Sequence, residues 1–273
     1  MEKIKELRDK TGAGIVDCQN ALKEAGEDID KAIEILRKKG ITKAAKRSDR
    51  EAGEGLILVD VNEAGNEGYI LEINSETDFV AKNEKFIELA KNVLALIKKN
   101  KPGDINELFN LPTKDVFSNQ AQDITVKECL DNLSGTIGEK LEIKRFEIIT
   151  GPTVVAYSHL GGKIGVLVAL DKEDESELAK DIAMQVAAAN PKYMAPEEAP
   201  TEELDKEKEI YRAQLLKEDK PENIIAKIIA GKINKYFEEV CLMKQEYIKD
   251  DKKRVEDILG ETKVKKFVRY SLQ

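Results

Sequence analysis

The first forty residues place apolar side chains at helical spacing. Ile4 and Leu7 share one face of a predicted first helix, which ends at the glycine-rich "TGAG". A second helix is predicted over residues 15–25, with Val16 and Cys18 among its apolar positions, and a third follows "GEDID". Because a bundle of this size has a thin core, we expect it to bury most of its apolar side chains, Cys18 included.

The pattern changes to alternation after residue 54, which is typical of strands. "GLILVDV" and "GYILEI" flank the turn-rich "NEAGNEG" and predict a β-hairpin, and "TVVAYSHL" and "IGVLVAL" flank "GGK" and predict another. Each hairpin leads to a predicted helix, over residues 83–99 and near "ESELAKDIAMQVAAA". "IKRFEIIT" predicts a further strand, whereas residues 100–135, broken by Pro102 and Pro112, are mixed in pattern.

The two hairpin–helix units form an internal repeat. The second strand begins at Gly68 in one copy and at Gly165 in the other, and both helices contain Leu-Ala-Lys. From the glycine to the alanine of this triplet there are 22 residues in the first copy, to Ala90, and 14 in the second, to Ala179. The first copy therefore carries about eight additional residues, "ETDFVAKN", between its strand and its helix.

This insertion contains an aspartate and a phenylalanine, Asp78 and Phe79. The second copy does without these residues, and connecting segments are where binding residues concentrate. The insertion therefore makes a purely structural role for Phe79, in which its ring caps the core beneath the following helix, less favoured.

From about residue 196 the pattern is helical again. "TEELDKEKEIYRAQLLKED" and "KPENIIAKIIAGKINKYFEEV" predict an antiparallel helical hairpin, and "VKKFVRYSL" predicts a closing strand. The chain is thus predicted to have an α+β fold with antiparallel strands. The expected divisions are an N-terminal three-helix module (1–40), a basic linker (41–54), the first half of a core (55–150), its second half (151–195), a helical hairpin arm (196–240) and a return to the second half (241–273).

The distribution of charge along the chain bears on whether the partner is a nucleic acid. The chain has a net charge of −8, yet "RKKGITKAAKRSDR" holds seven cations and one acid. Such a stretch is compatible with a nucleic-acid contact, but it lacks the interleaved aromatic residues that stack on bases. We favour a solvated linker or helix end and expect no direct nucleic-acid binding.

The sequence lacks the motifs by which catalytic residues are usually recognised. The single histidine, His159, lies beside a turn without a recognisable nucleophile, and no GxxxxGK[ST] phosphate loop is present. Cys18, Cys129 and Cys241 are widely spaced, which fits reduced thiols and neither a disulfide framework nor a zinc site. The sequence has no transmembrane run and begins without a secretory signal, so we expect a cytoplasmic protein that works by contact, without a metal or other cofactor.

Three segments together resemble the bacterial elongation factor Ts family. They are "KELRDKTGAGIVDCQNALKEAGEDIDKAIEILRKKG", "NSETDFVAKN" and "HLGGKIGVLV", which occur in the family's order along the chain. The resemblance implies a ubiquitin-associated-like N-terminal module, a core of two similar α+β halves and a protruding antiparallel helical arm. It also implies a function: guanine-nucleotide exchange on the GTPase elongation factor Tu, without covalent chemistry.

The resemblance further implies which residues contact the GTPase. The N-terminal module would contribute Arg8, Ile15 and Val16. The displacement loop would contribute Thr77, Asp78, Phe79, Val80, Ala81 and Lys82. The core would contribute Ile137, His159, Gly161, Gly162 and Lys163. Residues 100–130 are longer than in compact members of the family, and the chain stops at "RYSLQ" without the C-terminal helix that some members carry.

The sequence is also compatible with two other classes of function. One is a ubiquitin-associated-type binding module without exchange activity, and the other is an enzyme of unrecognised type. The sequence also leaves the oligomeric state open, because the arm or the core could support a homodimer or a complex of two copies with two GTPases.

Overall fold

The computed structural model describes residues 1–114, 123–217 and 221–272 of the 273-residue chain. Its helices are α1 (Glu2–Thr11), α2 (Ile15–Glu24), α3 (Ile29–Ala45), α4 (Asp78–Ala81), α5 (Glu84–Asn100), α6 (Ile105–Asn110), α7 (Val126–Ile137), α8 (Ser176–Ala189), α9 (Thr201–Lys217), α10 (Glu222–Val240) and α11 (Val255–Leu259). Its strands are β1 (Glu54–Val61), β2 (Glu67–Ser75), β3 (Pro112–Lys114), β4 (Asp123–Thr125), β5 (Leu141–Thr150), β6 (Thr153–His159), β7 (Ile164–Leu170), β8 (Glu246–Tyr247), β9 (Asp250–Arg254) and β10 (Val264–Ser271).

Two antiparallel sheets share one topology, which confirms the predicted repeat. In the first, β1 and β2 form a hairpin and β5 returns to pair with the free side of β2. In the second, β6 and β7 form a hairpin and β10 returns to pair with the free side of β7. Ala90 in α5 and Ala179 in α8, matched by the sequence repeat, are both fully buried.

Each sheet is covered by helices on one face. Apolar side chains of α5 and α7 pack with β2 in one core, and those of α8 and α11 pack with β7 in another. These cores follow from the sequence pattern, since α5 turns a wide apolar stripe toward the sheet. The helix-covered faces leave the opposite faces of both sheets free to meet.

Those opposite faces pack against each other, and glycines allow the close approach. A Cβ atom at Gly165 would lie 2.4 Å from Ile57 Cγ2, and one at Gly68 would lie 2.7 Å from Val154 Cγ1. Aliphatic side chains of both sheets, together with Tyr270, fill the rest of this interface. Each half therefore presents its glycine to the first strand of the other half.

The N-terminal helices α1–α3 surround a small core that includes Leu7, Cys18 and Leu22. The prediction that Cys18 is a core residue is confirmed, whereas Val16, another apolar position of α2, is 68 % exposed. Helix α3 also continues through Ala45, well into the segment expected to be a basic linker, and packs along α7. Its tertiary contact explains why the helix does not end at the sequence boundary.

The segment of mixed pattern between residues 100 and 135 contains more structure than its sequence pattern indicates. It includes α6, the short β3–β4 pair and α7, while residues 115–122 lie outside the described part of the chain. The start of α7 is a capping box, in which Thr125 Oγ1 accepts a hydrogen bond from the Glu128 backbone and Glu128 accepts one from the Thr125 backbone. This Thr-x-x-Glu signature is legible in the sequence.

Helices α9 and α10 lie side by side and run in opposite directions. Tyr236, near the end of α10, donates to Glu203 at the start of α9, and Lys232 Nζ lies 4.9 Å from the centre of the Tyr211 ring. The turn expected between them falls on residues 218–220, outside the described residues.

We expect Gly165→Ala to destabilise the fold by about 1–3 kcal/mol, because the new methyl group would overlap β-branched side chains that cannot swing away. Gly231→Ala is the matched control: Gly231 lies on α10 with open space around it, so alanine should be neutral or stabilising by up to about 1 kcal/mol. Denaturant unfolding measures both. Equal stability of the two variants would contradict the proposed close packing of the sheets.

A pH effect is expected at the base of α9. Glu203 accepts hydrogen bonds from Tyr193, Tyr236 and Lys192, and these bonds lower the pKa of Glu203 to about 2. A carboxyl with a depressed folded pKa stabilises the fold above its unfolded pKa, and this contribution is lost as the pH falls toward the folded value. Thermal unfolding should therefore show a smaller loss of stability between about pH 5 and pH 2 for Glu203→Gln than for the unchanged protein. The exposed neighbour Glu202→Gln should follow the unchanged protein, and parallel curves for both variants would refute the assignment.

Candidate functional site

The "TDFVAK" segment forms the short helix α4, which is held at both ends. Before it, Ser75 Oγ at the end of β2 donates to Thr77 O at 2.9 Å. After it, the Asn83 side chain accepts hydrogen bonds from Lys85 N and Phe86 N, at 3.0 and 3.4 Å, and so begins α5. The segment has no counterpart after β7, where α8 follows without an intervening helical turn.

Helical geometry separates the side chains of α4 into two groups. Val80 and Ala81 are buried in the core of the first half, whereas Phe79 is 82 % exposed. The alternative that Phe79 caps the core is therefore wrong. Val80 and Ala81, predicted as partner contacts, instead anchor the turn through their side chains, because successive helical positions point in directions about 100° apart.

The backbone before α4 is fixed by two carboxylates. Glu139 accepts from Thr77 N at 3.0 Å and from Thr77 Oγ1 at 2.7 Å, and Glu76 in return accepts from Lys140 N at 2.6 Å. Glu139 follows closely after α7, whose last residue, Ile137, is half-buried against the first core. The structure thus brings α4 close to Ile137, which the family resemblance also names as a contact. Sequence reasoning did not identify Glu76 or Glu139.

The β6–β7 turn lies beside α4. Leu160, Gly161 and Gly162 have φ values of 51°, 66° and 93°, in the left-handed region. Gly162 O accepts from Ile57 N at 2.7 Å, which joins this turn of the second half to β1 of the first. Gly162 is buried by this contact, whereas Gly161 is exposed and Leu160 is 65 % exposed. Leu160 is absent from the predicted contacts, although an apolar residue beside a glycine turn is a signal that the sequence carries.

Charged pairs flank Phe79. Lys82 Nζ lies 2.7 Å from Asp78 Oδ2, and Lys163 Nζ lies 3.7 Å from Glu54 Oε2. The hydrogen bond from Lys82 holds the pKa of Asp78 below its ordinary value, and the charge of Lys163 acts in the same direction. We name the exposed surface formed by Asp78, Phe79, Lys82, Leu160 and Lys163 the turn surface. It presents two apolar side chains between charges that compensate each other.

His159 lies at the end of β6 next to this surface. Its ring stacks on Tyr157, with 5.9 Å between ring centres, and the Tyr157 hydroxyl lies 3.2 Å from His159 Nδ1. Both contacts occur on an exposed strand end. Together they orient the imidazole against the Tyr157 ring. No described residue forms with it the nucleophile and orienting acid of a catalytic triad.

The other predicted contacts lie on the N-terminal helices. Arg8 is exposed on α1, and Ile15 and Val16 at the start of α2 are 56 % and 68 % exposed. These two adjacent apolar residues lie on the surface of the three-helix module and do not contribute to its small core. Their exposure leaves them available to a partner.

Within residues 1–114, 123–217 and 221–272, no group of His, Cys, Asp or Glu side chains has a metal-binding arrangement, and no helix is long and apolar enough to cross a membrane. The thiols of Cys18, Cys129 and Cys241 are all buried.

Comparison with known proteins identifies the family. The family model described as "Elongation factor TS" matches residues 76–273. The chain is also 46 % identical, over 286 residues, to the Elongation factor Ts of a Nitratiruptor species, in an alignment covering 98 % of this chain and 91 % of the relative. The chain belongs to the elongation factor Ts family. Membership confirms the resemblance found in the sequence and assigns the chain to the elongation factors of protein biosynthesis.

Removal of the Glu139 carboxylate should loosen the turn surface without unfolding the core. Glu139→Ala deletes two charge-assisted hydrogen bonds to Thr77, each of a class worth about 1.5–3 kcal/mol, so amide hydrogen exchange over residues 77–83 should accelerate about tenfold or more. Glu142→Ala, which removes a partly exposed ion pair with Lys140 and no bond to Thr77, is the control and should leave this exchange unchanged. Hydrogen exchange followed by mass spectrometry makes the comparison. Unchanged exchange over residues 77–83 in Glu139→Ala would show that the carboxylate does not hold the turn.

Proposed function

We propose that this chain is a guanine-nucleotide exchange factor that binds the GDP form of the GTPase elongation factor Tu and promotes release of GDP. The observation that carries the proposal is Phe79, an aromatic ring 82 % exposed on a backbone held at both ends. Membership in the elongation factor Ts family supports elongation factor Tu as the GTPase of this proposal. The mechanism requires no covalent step and no cofactor of the exchange factor.

The energetics favour a wedge at Phe79. Transfer of an exposed phenylalanine side chain into an apolar pocket contributes roughly 1.5–3 kcal/mol. Because Thr77 and Asn83 already hold the backbone of α4, little conformational entropy is lost on binding. Most of the free energy gained by burying the ring can therefore offset the cost of displacing the elements of the GTPase that hold Mg²⁺ and phosphate.

The exchange follows from thermodynamic reciprocity. If the exchange factor lowers the affinity of the GTPase for GDP by some factor, GDP lowers the affinity for the exchange factor by the same factor. A complex containing all three is therefore short-lived, and either ligand can leave. This competition gives turnover by binding alone.

Each group of predicted residues has a distinct role in this proposal. Asp78, Lys82 and Lys163 give the rim of the turn surface charges that orient the partner. Ile137, His159 and Gly161 extend the contact along the same edge. Arg8, Ile15 and Val16 add affinity through the N-terminal module.

A second candidate is a binding module that holds a protein partner without releasing nucleotide. The exposure of Ile15 and Val16 on α2 favours it, because these two residues could bind independently of the turn surface. The two candidates differ in what Phe79 should do. Only the exchange factor needs this ring for GDP release.

The test is Phe79→Ala. Truncation of an anchoring aromatic commonly removes about 2 kcal/mol or more of partner interaction, so stimulated release of fluorescent GDP from elongation factor Tu should slow by roughly thirtyfold. The melting temperature should change little, since Phe79 makes no core contact.

Ile248→Ala is the matched control, because Ile248 is also an exposed apolar residue (46 %) but lies in the β8–β9 turn. It should leave release unchanged. Normal release by Phe79→Ala, or an equal loss in both variants, would rule out the wedge. Binding without any stimulated release by the unchanged protein would favour the second candidate.

A further inference from the structure

Helices α3 and α7 cross at two glycines, Gly40 and Gly135. A Cβ atom built at Gly135 would lie 2.5 Å from Gly40 Cα and 3.0 Å from its carbonyl carbon and oxygen. Packed helices usually keep axes 8–10 Å apart at a distance set by the side chains in contact, so glycine on both sides permits an unusually close approach. The backbone of α3 therefore rests on the backbone of α7.

Polar contacts on both sides of the crossing fix its position. Arg37 Nη2 lies 2.7 Å from Glu128 Oε1 near the start of α7, and Arg47 Nη1 donates to Ser134 O at 3.2 Å near its end. Both arginines belong to the basic stretch that the sequence pattern favoured as a solvated linker or helix end. Their charges instead attach the N-terminal helices to the core.

From α7 the contacts continue to the turn surface. Ser134 Oγ donates to Glu139 O at 2.6 Å, and Glu139 holds Thr77. In parallel, Arg50 Nη1 lies 3.2 Å from Glu76 Oε1, and Lys140 Nζ donates to Arg50 O at 3.0 Å. The helices α1–α3 and α4 are thus joined through consecutive hydrogen bonds and packed backbone.

We propose that the glycine crossing fixes α1–α3 to the core, so that Ile15, Val16 and Phe79 are presented to the GTPase as one preorganised surface. Gly135 is then a positioning residue for the N-terminal contacts. The alternative is a flexible tether, which would only raise the local concentration of α1–α3 near the partner. A fixed arrangement avoids the entropy cost of ordering these helices at binding. The binding part of this inference rests on the proposed function, whereas the docking of α3 on α7 does not.

The two glycines give a matched pair of variants. A Cβ atom at Gly40 would lie 3.9 Å from Gly135 Cα and 4.0 Å from Asn132 Cα, which is ordinary contact, whereas one at Gly135 would overlap the backbone of α3. Gly135→Ala should therefore separate the helices, and Gly40→Ala should not. Both substitutions replace a helical glycine by alanine, so their effects on helix propensity are similar.

Docking is measured first on the full chain without a partner. Amide hydrogen exchange of α3 and the following residues 46–50 should accelerate about tenfold or more in Gly135→Ala and remain within about twofold in Gly40→Ala. If Gly135→Ala does not fold, the double variant Arg37→Ala/Arg47→Ala serves instead. It removes both polar contacts that flank the crossing and should accelerate hydrogen exchange of the same amides. Equal exchange in Gly135→Ala and Gly40→Ala, or in the arginine variant and the unchanged protein, overturns the docking.

Binding to GDP-loaded elongation factor Tu is measured next as a double-mutant cycle. Ile15→Ala/Val16→Ala should weaken binding about tenfold or more in the unchanged chain and at most about threefold in the Gly135→Ala background, because undocked helices no longer present these residues in position. Equal losses in the two backgrounds would mean that α1–α3 act as an independent tether, and would overturn the preorganised surface. A failure of the proposed function appears separately, as absence of stimulated GDP release by the unchanged protein, and leaves the hydrogen-exchange result intact.

Discussion

The face-to-face packing of the two sheets is the contact on which the rest of the molecule depends. It is reciprocal: Ile57 N donates to Gly162 O, and Val154 N donates to Gly65 O, each at 2.7 Å. The hairpin turn of each half therefore rests on the first strand of the other. Because neither Gly68 nor Gly165 carries a side chain, the sheets approach closely enough for these bonds to form.

This arrangement creates two similar ends of the core, only one of which carries the insertion. At one end, the β6–β7 turn lies beside the segment after β2, where α4 presents Phe79. At the opposite end, the β1–β2 turn contacts the second half, where Gly151 N donates to Asn66 O, but the segment after β7 leads directly into α8. The two halves therefore share one scaffold, but only the first half carries an exposed aromatic ring. Because the second half folds without it, the turn surface is an addition to the fold and not a requirement of it.

The site combines residues that hold the backbone in place with residues whose side chains face solvent. The backbone is held by the buried residues Val80, Ala81 and Gly162 and by the Glu139 carboxylate, whereas the side chains of Phe79 and Leu160 are exposed. Such a division suits a protein that acts by contact, since rigid presentation lowers the entropy lost when a partner binds. Arg37 of α3 and Arg47, which follows α3, also hold the backbone in place, because both form intramolecular contacts.

Sequence patterns were sufficient to predict most local elements, the repeat and the family. Periodicity predicted both hairpins, α5, α8 and β10, because burial of one face imposes a spacing that can be read along the chain. The length difference between the repeats located α4, whereas α7 went unpredicted within the mixed segment although Thr125 and Glu128 carry its capping signature. Contacts between distant segments emerged only on folding: the hold of Glu139 on Thr77 and the glycine crossing of α3 and α7. Neither has a periodic signature, because each depends on which surfaces meet after the elements have formed.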